Sequence, residues 1–490
     1  MSMLQEARLF IDGKLRRATG DKTYDNIGPW TGEAVGQAAE ASPDDVNEAI
    51  AAARRAFDKT DWSTTHDYRF GLMKQYRDLL HANHDQLVQI ARIEAGAAIG
   101  AAARAHVDGA LAGLDGLLEC YPHVKREEDR GVRRDYGFET RRQVIYEAIG
   151  TVGAITPWNV PLYINIGKVA AALLAGCTVI LKPAPDTPLM GSIMGELALE
   201  AGFPAGVLNV ITSSHPIMAG EMLVTDPRVD AISFTGSTGV GKRIMEKGAS
   251  TLKRIFLELG GKSANIILDD APNFAMTVAQ SMVVFHAGQG CAMATRLLVP
   301  KSRYAEAVKV LQAAYEGFAG KWGSFDDPTQ VMGPVASKKQ LARVMSYIEL
   351  GQHEGARLLA GGKARPDKGG GFFVEPTCFV DVRNDMRIAQ EEIFGPVLVV
   401  IPFDDDEDAI RIANDSIYGL GAAIHGSLDR ALQVARRVRA GAVSINGGMA
   451  VTGDLPFGGY KSSGVGREWG REGIEEFLET KAIGMRIQGS

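Results

Sequence analysis

From about residue 144 the chain alternates short, continuous apolar runs with helical stretches, and this rhythm constrains its fold more than any other feature. "GTVGAITPW" reads as a strand and is followed by a helical segment to Gly176; "CTVILKP" is a second strand, with a helix through Glu200. "GVLNVIT", "VDAISFTG", "RIFLELGG" and "ANIILDD" continue the rhythm, most with a helix between them. Strands that are apolar throughout, rather than on alternate residues, belong to a parallel sheet covered by helices on both faces. In such sheets ligands bind at the carboxyl ends of the strands. The alternation resumes after Cys291 and runs to about residue 446, so a second α/β domain is expected, as a length of 490 residues also requires. Strand order is not readable from this pattern. Upstream, "SPDDVNEAIAAARRAF" is a helix with Ser42 as its cap, Pro43 in the first turn and Asp45 completing a capping box. Val46, Ile50, Ala53 and Phe57 fall on one face of it, and residues 61–120 read as mainly helical.

Charge and cysteine usage narrow the partners. The net charge is −6 and no basic block occurs, which argues against nucleic acid. No apolar run is long enough to cross a bilayer and the first residues lack the apolar core of a signal peptide, so no membrane partner and a cytoplasmic location are expected. Cys120, Cys177, Cys291 and Cys378 are far apart, which argues against a metal site and against disulfides. The acidic run Asp404–Asp408 precedes a helical stretch and reads as a solvated helix N-terminus.

Four stretches could carry chemistry. In "FHAGQGCAMATR" a thiol, Cys291, sits among the smallest residues of the chain; a free thiol is more often a packed core residue than a nucleophile. "FTGSTGVGKR" ends a strand and opens a helix. Gly236, Gly239 and Gly241 would let backbone amides approach a phosphate at the helix N-terminus, or simply make a close strand–helix turn. Gly236 to Lys242 matches most of a nucleotide-triphosphate loop, but Arg243 stands where the magnesium-binding hydroxyl must be, which disfavours that class. In "TPWNVPLYINIGK" two prolines stiffen the backbone around Asn159, either an oxyanion donor or a cap of the following helix. "LELGGKS" puts Glu258 at a strand end, as a general base or a loop ion-pair partner.

Together and in this order, with "FIDGK", "NIGPWTGEAVGQAAEAS", "LKPAPDTP", "EEIFGPV" and "PFGGYKSSGVGRE", these stretches resemble the aldehyde dehydrogenase family over nearly the whole chain. The resemblance implies an α/β fold with a Rossmann-type cofactor domain (1–128 and 149–258), a catalytic domain (259–460) and a small β oligomerisation flap (129–148 and 474–490) that makes a homodimer or homotetramer. "RRDYGFETRRQVIYEAIG" has the alternation of such a flap, with "KAIGMRIQ" as a partner strand. It implies oxidation of an aldehyde to the acid. Cys291 is then the nucleophile, Asn159 and the Cys291 amide hold the oxyanion, Glu258 activates the hydrolytic water, and Lys168 and Glu468 relay protons. A CoA-acylating relative is the alternative, disfavoured by the presence of Glu258.

By the same resemblance, NAD would be bound by Ile155, Thr156, Trp158, Lys182, Pro185, Phe234, Gly236, Ser237, Gly241, Leu259, Glu392 and Phe394. Pro185 replaces a glutamate that accepts the adenosine 2′-hydroxyl in many NAD-preferring relatives, so NADP stays open. No basic residue beside Pro185 recruits a 2′-phosphate. The substrate pocket is expected from Val160, Tyr163, Ile164, Gly167, Gly290, Ala292, Val451 and Phe457. Gly167 takes a place often held by a large aromatic ring, and no arginine is among these positions. The expectation is therefore a roomy apolar pocket for aromatic, terpenoid or longer aliphatic aldehydes, with no partner for a carboxylate.

Overall fold

The computed structural model describes residues 6–487 and divides the alternating strands between two sheets. In the first, the strands Leu208–Val210, Thr178–Lys182, Thr151–Ile155, Ala231–Thr235 and Arg254–Glu258 lie side by side in that order, all parallel. The sheet therefore starts at its middle with Thr151–Ile155, grows one way, then jumps back to grow the other. This is the doubly wound order, and the jump opens a crevice above the carboxyl ends of Thr151–Ile155 and Ala231–Thr235. Leu9–Ile11 and Lys14–Arg16 extend one edge, and Gly464–Val465 pairs antiparallel with Leu257 and Glu258 at the other.

"ANIILDD", which continues the strand rhythm in the sequence, lies in the second sheet. Its strand Ala264–Ile267 pairs with Arg296–Pro300 and Gly421–His425, and no helix separates it from Arg254–Glu258. That second sheet has seven strands, parallel except for Arg357–Ala360 at one edge. A three-stranded antiparallel sheet joins Glu127–Asp135, Phe138–Ala148 and Leu478–Arg486, so the C-terminal strand does pair with the earlier hairpin. Of the segment 474–490, residues 488–490 lie outside the described residues, as do 1–5 of the first segment.

Local chemistry explains the helices. Pro43–Lys59 is closed by a full capping box: Asp45 N donates to Ser42 Oγ at 3.2 Å and Ser42 N donates to Asp45 Oδ2 at 2.8 Å. Val46, Ile50 and Ala53 are buried, whereas Phe57, one turn on, is only half-buried. Pro161–Ala175 starts on a proline whose missing N–H costs nothing there, and every residue in it except Tyr163 is buried. The acidic run opens the helix Asp406–Asn414, with Asp405 accepting from Asp408 N at 2.9 Å. Among the described residues no helix is long and apolar enough to cross a membrane.

Candidate active site

Two glycines let the Cys291 loop close over the end of the Glu258 strand. Glu258 ends its strand, and Gly260 and Gly261 follow in the crossing to the second sheet. A Cβ at Gly261 would stand 2.4 Å from the Cys291 carbonyl oxygen, and one at Gly260 would stand 2.4 Å from Glu392 Oε2. Only bare backbone lets the cysteine loop and the "EEIFGP" turn close over this crossing. Gly288, at φ +72°, does the same from the other side, since a Cβ there would meet Gly395 O at 2.1 Å. Just before it, His286 and Ala287 hold left-handed backbone at φ +46° and +50°, a costly conformation for residues with a Cβ.

Glu258 is buried and neither carboxylate oxygen has a hydrogen-bond partner among the described residues, so the loop ion-pair reading is set aside. Burial raises its pKa well above the usual range; Glu468 adds to the rise and Lys168 opposes it. The Cys291 thiol is pushed up to about 12 by burial and by the carboxylates of Glu258, Glu392 and Glu468, with the Ala292 amide pulling the other way. The thiol thus rests protonated, and its ionisation requires a base. Asn159 does not cap the helix behind it: Val160 is the N-cap, without a side-chain bond. Instead Asn159 Nδ2 donates to Gln289 O at 3.0 Å, which aims the amide into the cysteine loop and leaves its second N–H free. Lys168 Nζ donates to Ser233 Oγ at 3.0 Å and is ion-paired with Glu468. Glu468 in turn exchanges backbone hydrogen bonds with Phe457, both 2.7 Å.

Cys291, Glu258, Asn159 and Glu468 line one cavity of ≈ 510 Å³, with Val160, Tyr163, Ile164, Gly290, Ala292, Val451 and Phe457 on its walls. Gly167 is not on them. It lies beneath the Trp469 indole, 2.8 Å from where a Cβ would be, and Gly113 meets the same ring at 2.7 Å. The space a small residue was expected to leave for substrate is filled by a tryptophan three hundred residues away in sequence, which itself lines the cavity and meets the Tyr163 ring at 4.5 Å, tilted by 38°. A second expectation is corrected here too: an arginine, Arg104, does line the cavity, beside Ala105 and Gly109. Arg104 comes from a segment with no motif of its own, and Trp469, which directly follows "PFGGYKSSGVGRE", gives no sign in the sequence that it fills the space beside Gly167.

A second cavity of ≈ 340 Å³ fills the crevice at the strand ends. Ile155, Thr156, Trp158, Lys182, Pro185, Phe234 and Gly236 line it. Ser237 caps the helix Thr238–Gly248, accepting from Val240 N at 3.4 Å. Gly241 packs on Leu259, whose side chain would stand 2.7 Å from its Cβ, so this glycine serves the contact between the helix and the strand end. Phe394 meets the Trp158 ring edge-on at 5.4 Å, and Glu392 Oε1 accepts from Gly261 N at 2.9 Å. Arg243 and Lys247 line the same cavity as Pro185, so basic residues do stand there; Arg243 Nε donates to Glu221 Oε1 at 2.7 Å. Thr235 lines both cavities, which meet at its side chain.

The crevice suits a dinucleotide. A Cβ at Gly236 would meet Phe234 at 2.4 Å, so only glycine leaves that backbone approachable beside the helix N-terminus. The buried hydroxyls of Thr156 and Thr235 have no partner among the described residues. Lys182, its pKa lowered to about 8 by burial, donates from Nζ to Pro183 O at 3.1 Å.

The model of the aldehyde dehydrogenase family matches residues 16–483. The chain is 41% identical over 488 residues to 3-succinoylsemialdehyde-pyridine dehydrogenase of a Pseudomonas species, covering 98% of each. It is similar to the crystal structure of a Mycobacterium tuberculosis aldehyde dehydrogenase complexed with NAD+, with TM-score 0.93, 40% identity and 98% of each chain covered. It is also similar to aldehyde dehydrogenase C of Pseudomonas syringae, solved as a cysteine-to-alanine variant with NAD+ and octanal. That match has TM-score 0.89 and 38% identity and covers 97% of this chain and 96% of that one.

Proposed function

The chain belongs to the aldehyde dehydrogenase family, and from that premise we propose that it oxidises apolar aldehydes (aromatic, terpenoid or longer aliphatic) to carboxylic acids with NAD+. One observation carries the reading: Cys291, Asn159 and Glu258 share the polar end of an otherwise apolar cavity, which touches the dinucleotide crevice at Thr235. The relatives solved with NAD+, one of them also with octanal, support it.

In this reading Cys291 gives its proton to water as it adds to the aldehyde carbon, forming a thiohemiacetal. Its oxyanion accepts from the Cys291 N–H, which makes no backbone hydrogen bond among the described residues, and from the Asn159 N–H that is not given to Gln289. NAD+, when bound, supplies the hydride acceptor; Thr156, Lys182 and Gly236 would hold it, with Glu392 and Phe394 at the nicotinamide end. The carbonyl reforms as a thioester on Cys291. Glu258 then takes a proton from water as the water's oxygen adds to the thioester, and collapse releases the acid and the thiolate. Lys168 and Glu468 offer the buried carboxylate a route for that proton. Hydrolysis, rather than transfer to CoA, rests on this base. The exposed edges of the three-stranded sheet are the surface through which two copies would pair.

A panel of neutral aldehydes, assayed with NAD and NADP in parallel, tests the reading, with Cys291→Ala as the control. Octanal and aryl aldehydes should be oxidised well and acetaldehyde poorly, with no turnover in the variant. Activity confined to short aldehydes would refute the apolar assignment, and appreciable turnover by Cys291→Ala would refute the nucleophile.

A further inference from the structure

We propose that Arg104 selects aldehydes bearing an anionic group at the far end of an apolar spacer, and binds that anion at the mouth of the substrate cavity. The assignment rests on the aldehyde-oxidising reading above and concerns the part of the substrate that does not react.

Arg104 belongs to a π-helical segment, Ala102–Asp108, in which Gly109 N donates back to the Arg104 carbonyl. A wider helical turn changes which side chains share a face, and such turns often accompany functional sites. Here the segment is pinned on one side by His106. That ring is buried without a hydrogen-bond partner among the described residues and meets the His286 ring edge-on at 4.6 Å, against the strained start of the cysteine loop. Two residues earlier, Arg104 is exposed and lines the cavity. Its guanidinium makes no hydrogen bond or ion pair with any described residue. The acidic groups nearby are committed elsewhere: Asp108 Oδ1 is 2.7 Å from His84 Nε2, and Glu468 is paired with Lys168.

Charge is therefore laid out along the cavity in one direction. The buried end holds the carboxylic groups of Glu258 and Glu468, the walls carry Phe285, Met293, Met449, Val451 and Trp469, and the one cationic side chain among the described lining residues stands at the exposed rim. A short aldehyde acid would place its carboxylate among apolar walls near Glu258, desolvated and facing like charge. A longer one would reach the guanidinium, whose fork matches a carboxylate with two parallel hydrogen bonds. The spacer keeps the apolar preference of the walls.

The test compares azelaic semialdehyde with its methyl ester, alongside nonanal and succinic semialdehyde, in the full-length enzyme and in Arg104→Gln and Arg104→Lys. The acid should be preferred over the ester in kcat/KM by about 5- to 10-fold, chiefly through KM, since the contact is remote from the reacting carbon. High salt should shrink that ratio. It should fall to about one in Arg104→Gln and be partly kept in Arg104→Lys, while succinic semialdehyde stays a poor substrate throughout. Nonanal oxidised with no preference for the acid, or an acid-to-ester ratio unchanged in Arg104→Gln, would overturn the assignment alone. Failure to oxidise any of these aldehydes would bring down the aldehyde reading and this one with it.

Discussion

The dinucleotide crevice and the substrate cavity share Thr235 but are built in opposite ways. The crevice opens where neighbouring strands of one sheet end, and the helices Pro216–Thr225 and Thr238–Gly248 that cover those strands complete its walls. The cavity is assembled from segments around residues 104–109, 159–164, 285–293, 449–457 and 468–469, which meet only because two sheets and a C-terminal strand fold over one another. The first arrangement keeps backbone groups approachable and is tolerant of what lies beyond it. The second depends on volume, and a single side chain can redraw it.

Three changes put that contrast at risk. The largest effect is expected at the chemistry itself. Glu258→Gln should lower steady-state turnover by about 100- to 10,000-fold while the first turnover still releases NADH in a burst, because Glu258 activates the water of hydrolysis and does not take the Cys291 proton. The pH profile reports the same group. Burial raises the Glu258 pKa, and the base acts only when deprotonated, so wild-type turnover should climb as pH rises through that raised value, and the variant should lose the climb. A missing burst with Cys291 still reactive would move the base to the acylation step.

The next effect concerns volume. Gly167→Leu forces a side chain against Trp469, where even a Cβ would lie at 2.8 Å, and should cost roughly 1–3 kcal/mol of stability. Denaturant unfolding reads the loss, and KM for bulky aldehydes should rise as the indole is driven into the cavity. An equally stable variant with better bulky-substrate kinetics would mean that the glycine, not the tryptophan, sets the wall. The smallest effect is expected in the crevice. Glu221→Gln frees Arg243 from an exposed ion pair, so NADP should gain on NAD by only a few-fold, in keeping with the roughly 0–1 kcal/mol worth of such pairs. A change in the opposite sense would exclude Arg243 as a 2′-phosphate partner.

Much of the crevice is legible in the chain itself. "GTVGAITPW" and "VDAISFTG" announce strands with proline or glycine just beyond them, and Gly236 follows from that position, whereas the family resemblance supplies Ile155, Thr156 and Phe234. The same reasoning over-reaches at Gly241, where the requirement for glycine comes from Leu259 packing rather than from ligand approach. Asn159 shows the limit from another side. Its position before a helix allows a cap, and only Gln289, 130 residues on, decides that the amide faces the cysteine loop. Arg243 and Lys247 stay out of sight from Pro185 because they reach the crevice from a different helix.

The layered α/β class and the capped first helix are written in the order of the residues, which also names the candidate reacting groups. Strand periodicity, capping boxes and glycine turns are decided by interactions over a few residues. Long-range packing was needed for the strand order, the crossing of "ANIILDD" into a second sheet, the filling of the Gly167 space by Trp469 and the arrival of Arg104 at the rim. Those outcomes depend on close contact between segments far apart in the chain, where the volume left by one residue is claimed by whichever side chain the folded sheets bring to it.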